Sequence, residues 1–307
     1  MNFIILTNSG ENNYFVKEVL ESNLLPKLIC SDSPFHFKSS NLIKHGLKLI
    51  FQHFLYWANR NKYHKKYQAY FLSRKHNIPF FPSYMVNSND FKHKIKPLHI
   101  DFGFVFTFQI LSKNILSLPN KGFINFHPSK LPHNRGATPH QWVIYSGEKT
   151  TGITFHFLDE GIDTGAIIEQ YEVPLSGYET ADILYNHLLA LGSRLMIQLI
   201  HRLNQNPHQI RPVKSIVTLG LEPIFIAENF EINDRMSFEE INSLVRACRI
   251  NQSYAKCSIK NKSFFVTSCI KLDNYQIQNV ENQSNNNQCT FITSDNQAVL
   301  LVFKKQM

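Results

Sequence analysis

Acidic residues are scarce in this chain of 307 residues: Asp and Glu number 23 against 32 Lys and Arg, a net charge of +9. Between Ser33 and Asn89 there is no Asp or Glu at all, while nine Lys or Arg occur. Such an excess admits nucleic acid, a phosphorylated substrate or an anionic cofactor, and does not choose among them. Charged residues make up only 18% and hydrophobic ones 43%, which excludes a disordered chain and supplies a core. No run approaches the roughly eighteen apolar residues of a membrane span. The apolar stretch Met1 to Thr7 lacks a basic flank and is cut short by Asn8 and Glu11, so it does not read as a signal peptide. Five cysteines, an odd number without a CxxC spacing, make neither a disulfide framework nor a zinc site. A reduced, cytoplasmic protein is the expectation.

A glycine-rich nucleotide fingerprint is also missing. After the first apolar run comes Thr7-Asn8-Ser9-Gly10-Glu11, one glycine where GxGxxG needs three. An NAD or FAD site is therefore rejected there.

What is present is an alternation of strands and helices. Asn2 to Thr7 reads as a strand, Phe15, Val19 and Leu20 share one face of a helix, and Pro26 to Cys30 reads as a second strand. This βαβ pattern predicts a parallel sheet. Ile78 to Phe81, Phe102 to Phe106 and Gly122 to Phe126 are apolar on consecutive residues, as strands buried on both faces are. The fold class expected is α/β, a Rossmann-like, mostly parallel sheet with flanking helices and a ligand crevice beyond the strands' carboxyl ends. Leu42 to Lys75 predicts one or two helices; its basic side is a solvated face or an arm for phosphate groups. Leu184, Leu188, Leu191, Leu195 and Leu199 place one stripe on a helix over Gly177 to Leu203, with Thr180 as N-cap. Pro207 and Pro212 mark a linker between residues 1–206 and 213–307. The second part reads as short strands (Lys256 to Ile259, Ser263 to Thr267, Cys289 to Thr293, Ala298 to Phe303) around a helix, Ser237 to Ala247. A small β-barrel-like, OB-like domain is expected there, with the polar tract Asn282 to Gln288 as a loop.

The chemistry concentrates in Asn125-Phe126-His127-Pro128-Ser129-Lys130-Leu131-Pro132-His133-Asn134-Arg135-Gly136-Ala137-Thr138-Pro139. Asn125 and His127, two apart in a strand, point to the same side. An amide and an imidazole at a buried strand end are costly unless used or paired. Three prolines and a glycine then impose a rigid loop. Downstream, Asp159-Glu160-Gly161-Ile162-Asp163-Thr164-Gly165 is a second polar cluster. Its oxygens suit Ca²⁺ or Mg²⁺, but the spacing fits no EF-hand, and a carboxylate that orients a histidine is more economical. No metal is expected. Arg135 either clamps a phosphate or carboxylate bidentately or pins its own loop. His133, His140 and His156 form no HxxxH or HExxH pair and read as loop and surface histidines.

Asn125-x-His127-Pro-Ser-x-Leu-Pro-x-x-Arg135-Gly136, followed by Gly161-Ile162-Asp163-Thr164-Gly165, resembles the signature of the folate-dependent formyltransferases. The resemblance is specific from about Phe102 to Gln170, and Leu244-Val245-Arg246-Ala247 resembles a helix of the C-terminal domain in some members. It implies formyl transfer from N10-formyltetrahydrofolate to a primary amine, with Asn125, His127 and Asp163 as catalytic residues. It implies a mostly main-chain grip on the pterin by Phe104, Phe106, Thr107, Phe108, Gln109, Ile110 and Leu111, and by Leu158, Asp159 and Gly161. Arg135 and Gly136 are the substrate-binding candidates. Methionyl-tRNA formyltransferases usually carry Gly-Thr-Pro after the first strand, a leucine at the position of Lys130 and a tyrosine-glycine hinge where Phe106-Thr107-Phe108 stands here. Their short tRNA-inserting loop is replaced by the basic, aromatic segment Pro34 to Lys75. These departures favour an anionic amine on a nucleotide-linked sugar over methionyl-tRNA. A non-catalytic RNA-binding relative is the third reading, motivated by Phe51, Phe54, Tyr56, Trp57, Tyr63 and Tyr67 among the basic residues. No membrane partner is expected, and a homodimer stays open.

Overall fold

The computed structural model describes residues 1–8, 14–34, 60–213, 220–259, 262–273 and 288–304. The expected basic helices before residue 60, and the tract 282–287, lie outside these residues.

The first strand, β1 (Phe3–Thr7), leads to helix α1 (Phe15–Glu21) and back to β2 (Leu28–Ser31). Two short helices, α2 (Arg60–Lys66) and α3 (Gln68–Lys75), precede β3 (Phe80–Pro82). Then come α4 (Asn89–Ile95), β4 (Phe102–Phe106), α5 (Lys113–Leu116) and β5 (Phe123–His127). Helix α6 (Pro139–Tyr145) is followed by β6 (Thr150–Phe157) and β7 (Ile167–Pro174), then by α7 (Ala181–Gln205).

These strands make one sheet in the order β3-β2-β1-β4-β5-β6-β7. Strands β1 to β5 pair in parallel, and β6 runs antiparallel to β5. The mostly parallel Rossmann-like sheet is therefore present. The strand limits shift by one or two residues from the apolar runs, because hydrogen-bonded pairing rather than hydrophobicity ends a strand.

Consecutive apolar residues belong to a sheet covered on both sides. One face buries Ile4, Leu6, Leu28, Val105 and Phe123 beneath Phe91 and Ile95 of α4. On the other, Phe106 stacks between Phe15 at 4.5 Å and Phe126 at 4.4 Å. Fully burying one such ring contributes about 1.5–3 kcal/mol. Gly192 lets α7 approach this layer, since a Cβ there would meet the Phe126 ring at 2.1 Å. Helix α7 starts at Ala181, later than Gly177, where φ is +89°. By length and composition it would suit a bilayer, yet Leu184, Leu188, Met196, Leu199, Ile200 and Leu203 are buried inside the protein.

Beyond it, β8 (Glu231–Ile232), α8 (Phe238–Cys248), β9 (Ala255–Ile259), β10 (Lys262–Lys271), β11 (Gln288–Ile292) and β12 (Ala298–Phe303) follow. They form a five-stranded sheet in the order β11-β12-β10-β9-β8. Among the described residues no pairing joins β11 to β8 to close a barrel. Helix α8 opens with a full capping box: Ser237 accepts from Glu240 N while Glu240 accepts from Ser237 N.

The chain forms two compact units, neither continuous in sequence: residues 1–127, 153–170 and 189–217, and residues 128–152, 171–188 and 218–307. In the second, Trp142 Nε1 donates to Pro223 O at 2.7 Å, and Phe225 stacks on Phe230 at 4.4 Å.

Candidate active site

The first unit carries Asn125, His127 and Asp163. Strand β5 ends at His127, and its side chains at Phe123, Asn125 and His127 share one face. His127 is 3% exposed. Its Nδ1 lies 3.6 Å from Asp163 Oδ2, within ion-pair reach and beyond hydrogen-bond length.

Asp163 comes from the loop after β6, and two features hold it there. It adopts φ +53°, a left-handed conformation that Asp accepts more readily than bulkier residues. Gly165 passes so close to β6 that a Cβ would stand 1.8 Å from Phe157 O. Phe157 N in turn donates to Ala166 O at 2.9 Å. The glycine of the Gly-Ile-Asp-Thr-Gly run is thus demanded by a backbone crossing. Asp159 is used inside the same loop, where Oδ1 accepts from Gly161 N at 3.1 Å and from the Thr164 hydroxyl at 2.5 Å.

Sequence inspection missed His156. It is no surface histidine: on β6 it is 0% exposed and stands in register opposite Asn125. Its Nε2 is 3.1 Å from Asn125 Nδ2 and 3.6 Å from Asp163 Oδ1. Its Nδ1 is 2.8 Å from Phe157 O. Two imidazoles, one amide and one carboxylate therefore converge. His140 is also buried, stacked on Tyr185 at 4.5 Å in the second unit, whereas His133 is exposed in its turn. The missing signal was burial: an isolated histidine inside an apolar run carries no periodicity of its own.

The residues expected to grip a pterin divide in two. Phe104 and Phe106 are buried at 0% and 1%, and both lie in a strand paired on either side. Their side chains belong to the core. After β4 the chain changes character. Thr107 adopts φ +53° and its carbonyl accepts from Asn8 N, while Asn87 Nδ2 donates to Ile110 O at 3.0 Å. The main-chain N–H groups of Phe108, Gln109, Ile110 and Leu111 have no protein acceptor among the described residues. Ile110 is 75% exposed, Leu111 is buried, and Phe108 and Leu158 pack against the core. Gln109 is anchored by Nε2 donating to Ser83 O at 2.6 Å.

Arg135 and Gly136 lie in the second unit. Arg135 is 9% exposed, and its carbonyl accepts from Glu222 N at 3.1 Å. Gly136 has φ +116°, and a Cβ would crowd Glu222 O at 2.8 Å. Buried Ser129 holds this turn, donating to His133 O at 2.9 Å and Asn134 O at 3.3 Å. Lys130 pairs with Glu172 at the surface. Among the described residues, no group of three His, Cys, Asp or Glu is placed to hold a metal ion.

A separate cavity of about 480 Å³ is lined by Tyr70, Arg74, Phe80 and Lys94 among others. Arg74 and Lys94 sit in the last turns of α3 and α4, where cations complement the helix dipole.

A family model described as formyl transferase matches residues 49–200. Methionyl-tRNA formyltransferase of Clostridioides difficile is 37% identical over 176 residues, 57% of this chain and 57% of that protein. That of Thermodesulfovibrio yellowstonii is 34% identical over 170 residues, 55% and 54% of the two chains. The chain thus aligns with little more than half the length of these relatives. In fold it is similar to the Helicobacter canadensis N-formyltransferase solved with folinic acid and dTDP-3-aminofucose: TM-score 0.66, 17% identity, 99% of this chain and 100% of that one. A 4-N formyltransferase from Francisella tularensis superposes with TM-score 0.60 at 19% identity, over 86% and 96%.

Proposed function

We propose that this chain, which a formyl transferase family model matches over residues 49–200, transfers a formyl group from N10-formyltetrahydrofolate to a primary amine. The convergence of Asn125, His127 and Asp163 in one unit carries this reading. The donor supplies an electrophilic formyl carbon, whose oxygen gains negative charge as the amine attacks.

Asn125 offers an amide N–H to that charge, and protonated His127 offers a second donor. Preorganised donors of this kind are worth roughly 3–4 kcal/mol each. Asp163 holds His127 in place and receives the amine's proton, directly or through water, while the bond from the formyl carbon to N10 of the donor breaks and that nitrogen takes up a proton and leaves as tetrahydrofolate. The N–H groups of Phe108 to Leu111, which have no protein acceptor among the described residues, are the main-chain contacts proposed for the pterin, with Leu158, Asp159 and Gly161 at the neighbouring loop. Residues 1–206 are the proposed catalytic domain and 213–307 the smaller β-rich one.

For the acceptor we propose an amine on a nucleotide-linked sugar, with Arg135 and Gly136 as its contacts. The similarity of fold to sugar N-formyltransferases over nearly the whole chain supports this, as do the departures at Lys130 and Phe106-Thr107-Phe108. A second reading, methionyl-tRNA, is favoured by the 37% identity to a methionyl-tRNA formyltransferase. A panel of amines incubated with formyl donor, followed by mass spectrometry, tests both. Gain of one formyl group on a dTDP-linked amino sugar supports the first. Formylation of charged initiator tRNA, with affinity falling steeply as salt rises, establishes the second. No formylated amine in the panel overturns the proposed activity.

A further inference from the structure

His156 enters none of the steps above, yet its two ring nitrogens constrain the site. A carbonyl oxygen can only accept, so the 2.8 Å contact between Nδ1 and Phe157 O requires the proton on Nδ1. A neutral imidazole then keeps its lone pair on Nε2. An amide nitrogen can only donate, so the 3.1 Å contact between Asn125 Nδ2 and Nε2 is attractive in this tautomer. Exchanging the amide's oxygen and nitrogen would set oxygen against a lone pair. Amide orientation and imidazole tautomer therefore decide one another. The strand register ties both to the backbone, because Asn125 and His156 are directly paired across β5 and β6.

We infer that His156 is a positioning residue that holds one N–H of Asn125 and so directs the other to the developing charge. The inference rests on the reading of Asn125 as the donor to the formyl oxygen. Asn125 has two amide hydrogens: one is bound to His156 and one is left for the reaction. Without an acceptor at Nε2, the amide rotates between orientations, one of which offers its oxygen where a donor is needed. The effect falls on the chemical step and spares donor binding.

The test combines spectroscopy with kinetics on the full chain. Long-range ¹H–¹⁵N correlation of the His156 ring in the resting protein is expected to show a protonated Nδ1 and a bare Nε2. A protonated Nε2 overturns the inference, whether or not the protein formylates any amine. His156→Phe is expected to lower kcat about a hundredfold, the scale of one lost donor, with KM for the formyl donor unchanged within about threefold. His156→Gln, which can place an acceptor near the position of Nε2, is expected to recover kcat to within about tenfold of the parent. If His156→Phe fails to fold, the ring spectrum and the glutamine variant decide. Retention of kcat within twofold by a folded His156→Phe overturns the positioning role. Absence of turnover in the parent overturns the proposed function alone and leaves the tautomer to the spectrum.

Discussion

Asp163 Oδ2 faces His127 Nδ1 at 3.6 Å from a residue held at φ +53°, so the partner of the strand-end histidine is delivered by a strained loop. Side chain and backbone conformation are coupled at that point. Changes to either are expected to reach the chemistry by different routes.

Replacing the groups themselves leaves the core alone. His127→Ala and Asp163→Asn are each expected to lower kcat by at least about 10²-fold, with an unchanged far-ultraviolet spectrum. Near-normal formylation by either variant would remove that residue from its proposed role.

Replacing the backbone device should act on stability first. In Gly165→Ala the new methyl would meet Phe157 O at 1.8 Å, and neither strand nor loop can retreat without breaking the Phe157–Ala166 bond. A cost of about 1–3 kcal/mol is expected, read as a lowered midpoint in urea. Activity should fall with it, because the loop that carries Asp163 must shift.

Burial pushes the Cys248 thiol up to about 12 from an ordinary 9.0. The folded state then keeps its proton where the unfolded chain has lost it. This contribution is complete below pH 9 and is lost as pH rises from 9 toward 12. Cys248→Ala is expected to flatten the alkaline limb of a stability-versus-pH curve, measured by denaturant titration. An unchanged limb would show that the thiol is not its source.

Ser237→Ala is expected to cost about 1 kcal/mol by removing an N-cap. The Ser237 backbone N–H, and then its hydroxyl, hold Glu240 below its ordinary 4.5. A depressed carboxyl stabilises above that value and ceases to do so as pH falls through its folded-state value. The gap between parent and variant should therefore be widest near neutrality and narrow on acidification, as thermal melts across that range will read.

Several features were legible because they depend on neighbours in sequence. The leucine stripe from Leu184 to Leu199 announces a helix, and the runs at Phe102 and Phe123 announce buried strands, since each period repeats within a few residues. Asn125 and His127 stood out as polar residues at the end of an apolar run, and Asp163 through the glycine-bounded polar cluster in which it sits; the resemblance to the formyltransferase signature joined the three. Phe104 and Phe106, expected to offer main chain to the pterin, lie where β4 is paired to both β1 and β5, and which strands pair is set by segments far apart in sequence. His156 was passed over for a related reason. In β6, buried from Thr151 to His156, no alternation separates a functional residue from a packed one.

The amino-acid sequence by itself determined the alternating strand-helix order, the polar strand end at Asn125 and His127, and the glycine-bounded turn around Asp163. These are consequences of short-range periodicity and of backbone conformations that few residues adopt. The tertiary structure alone decided that β6 runs antiparallel to β5 with His156 against Asn125, and that Asp163 reaches both histidines. Strand direction and register join residues some thirty positions apart, and that pairing is settled by packing the whole sheet rather than by any local preference.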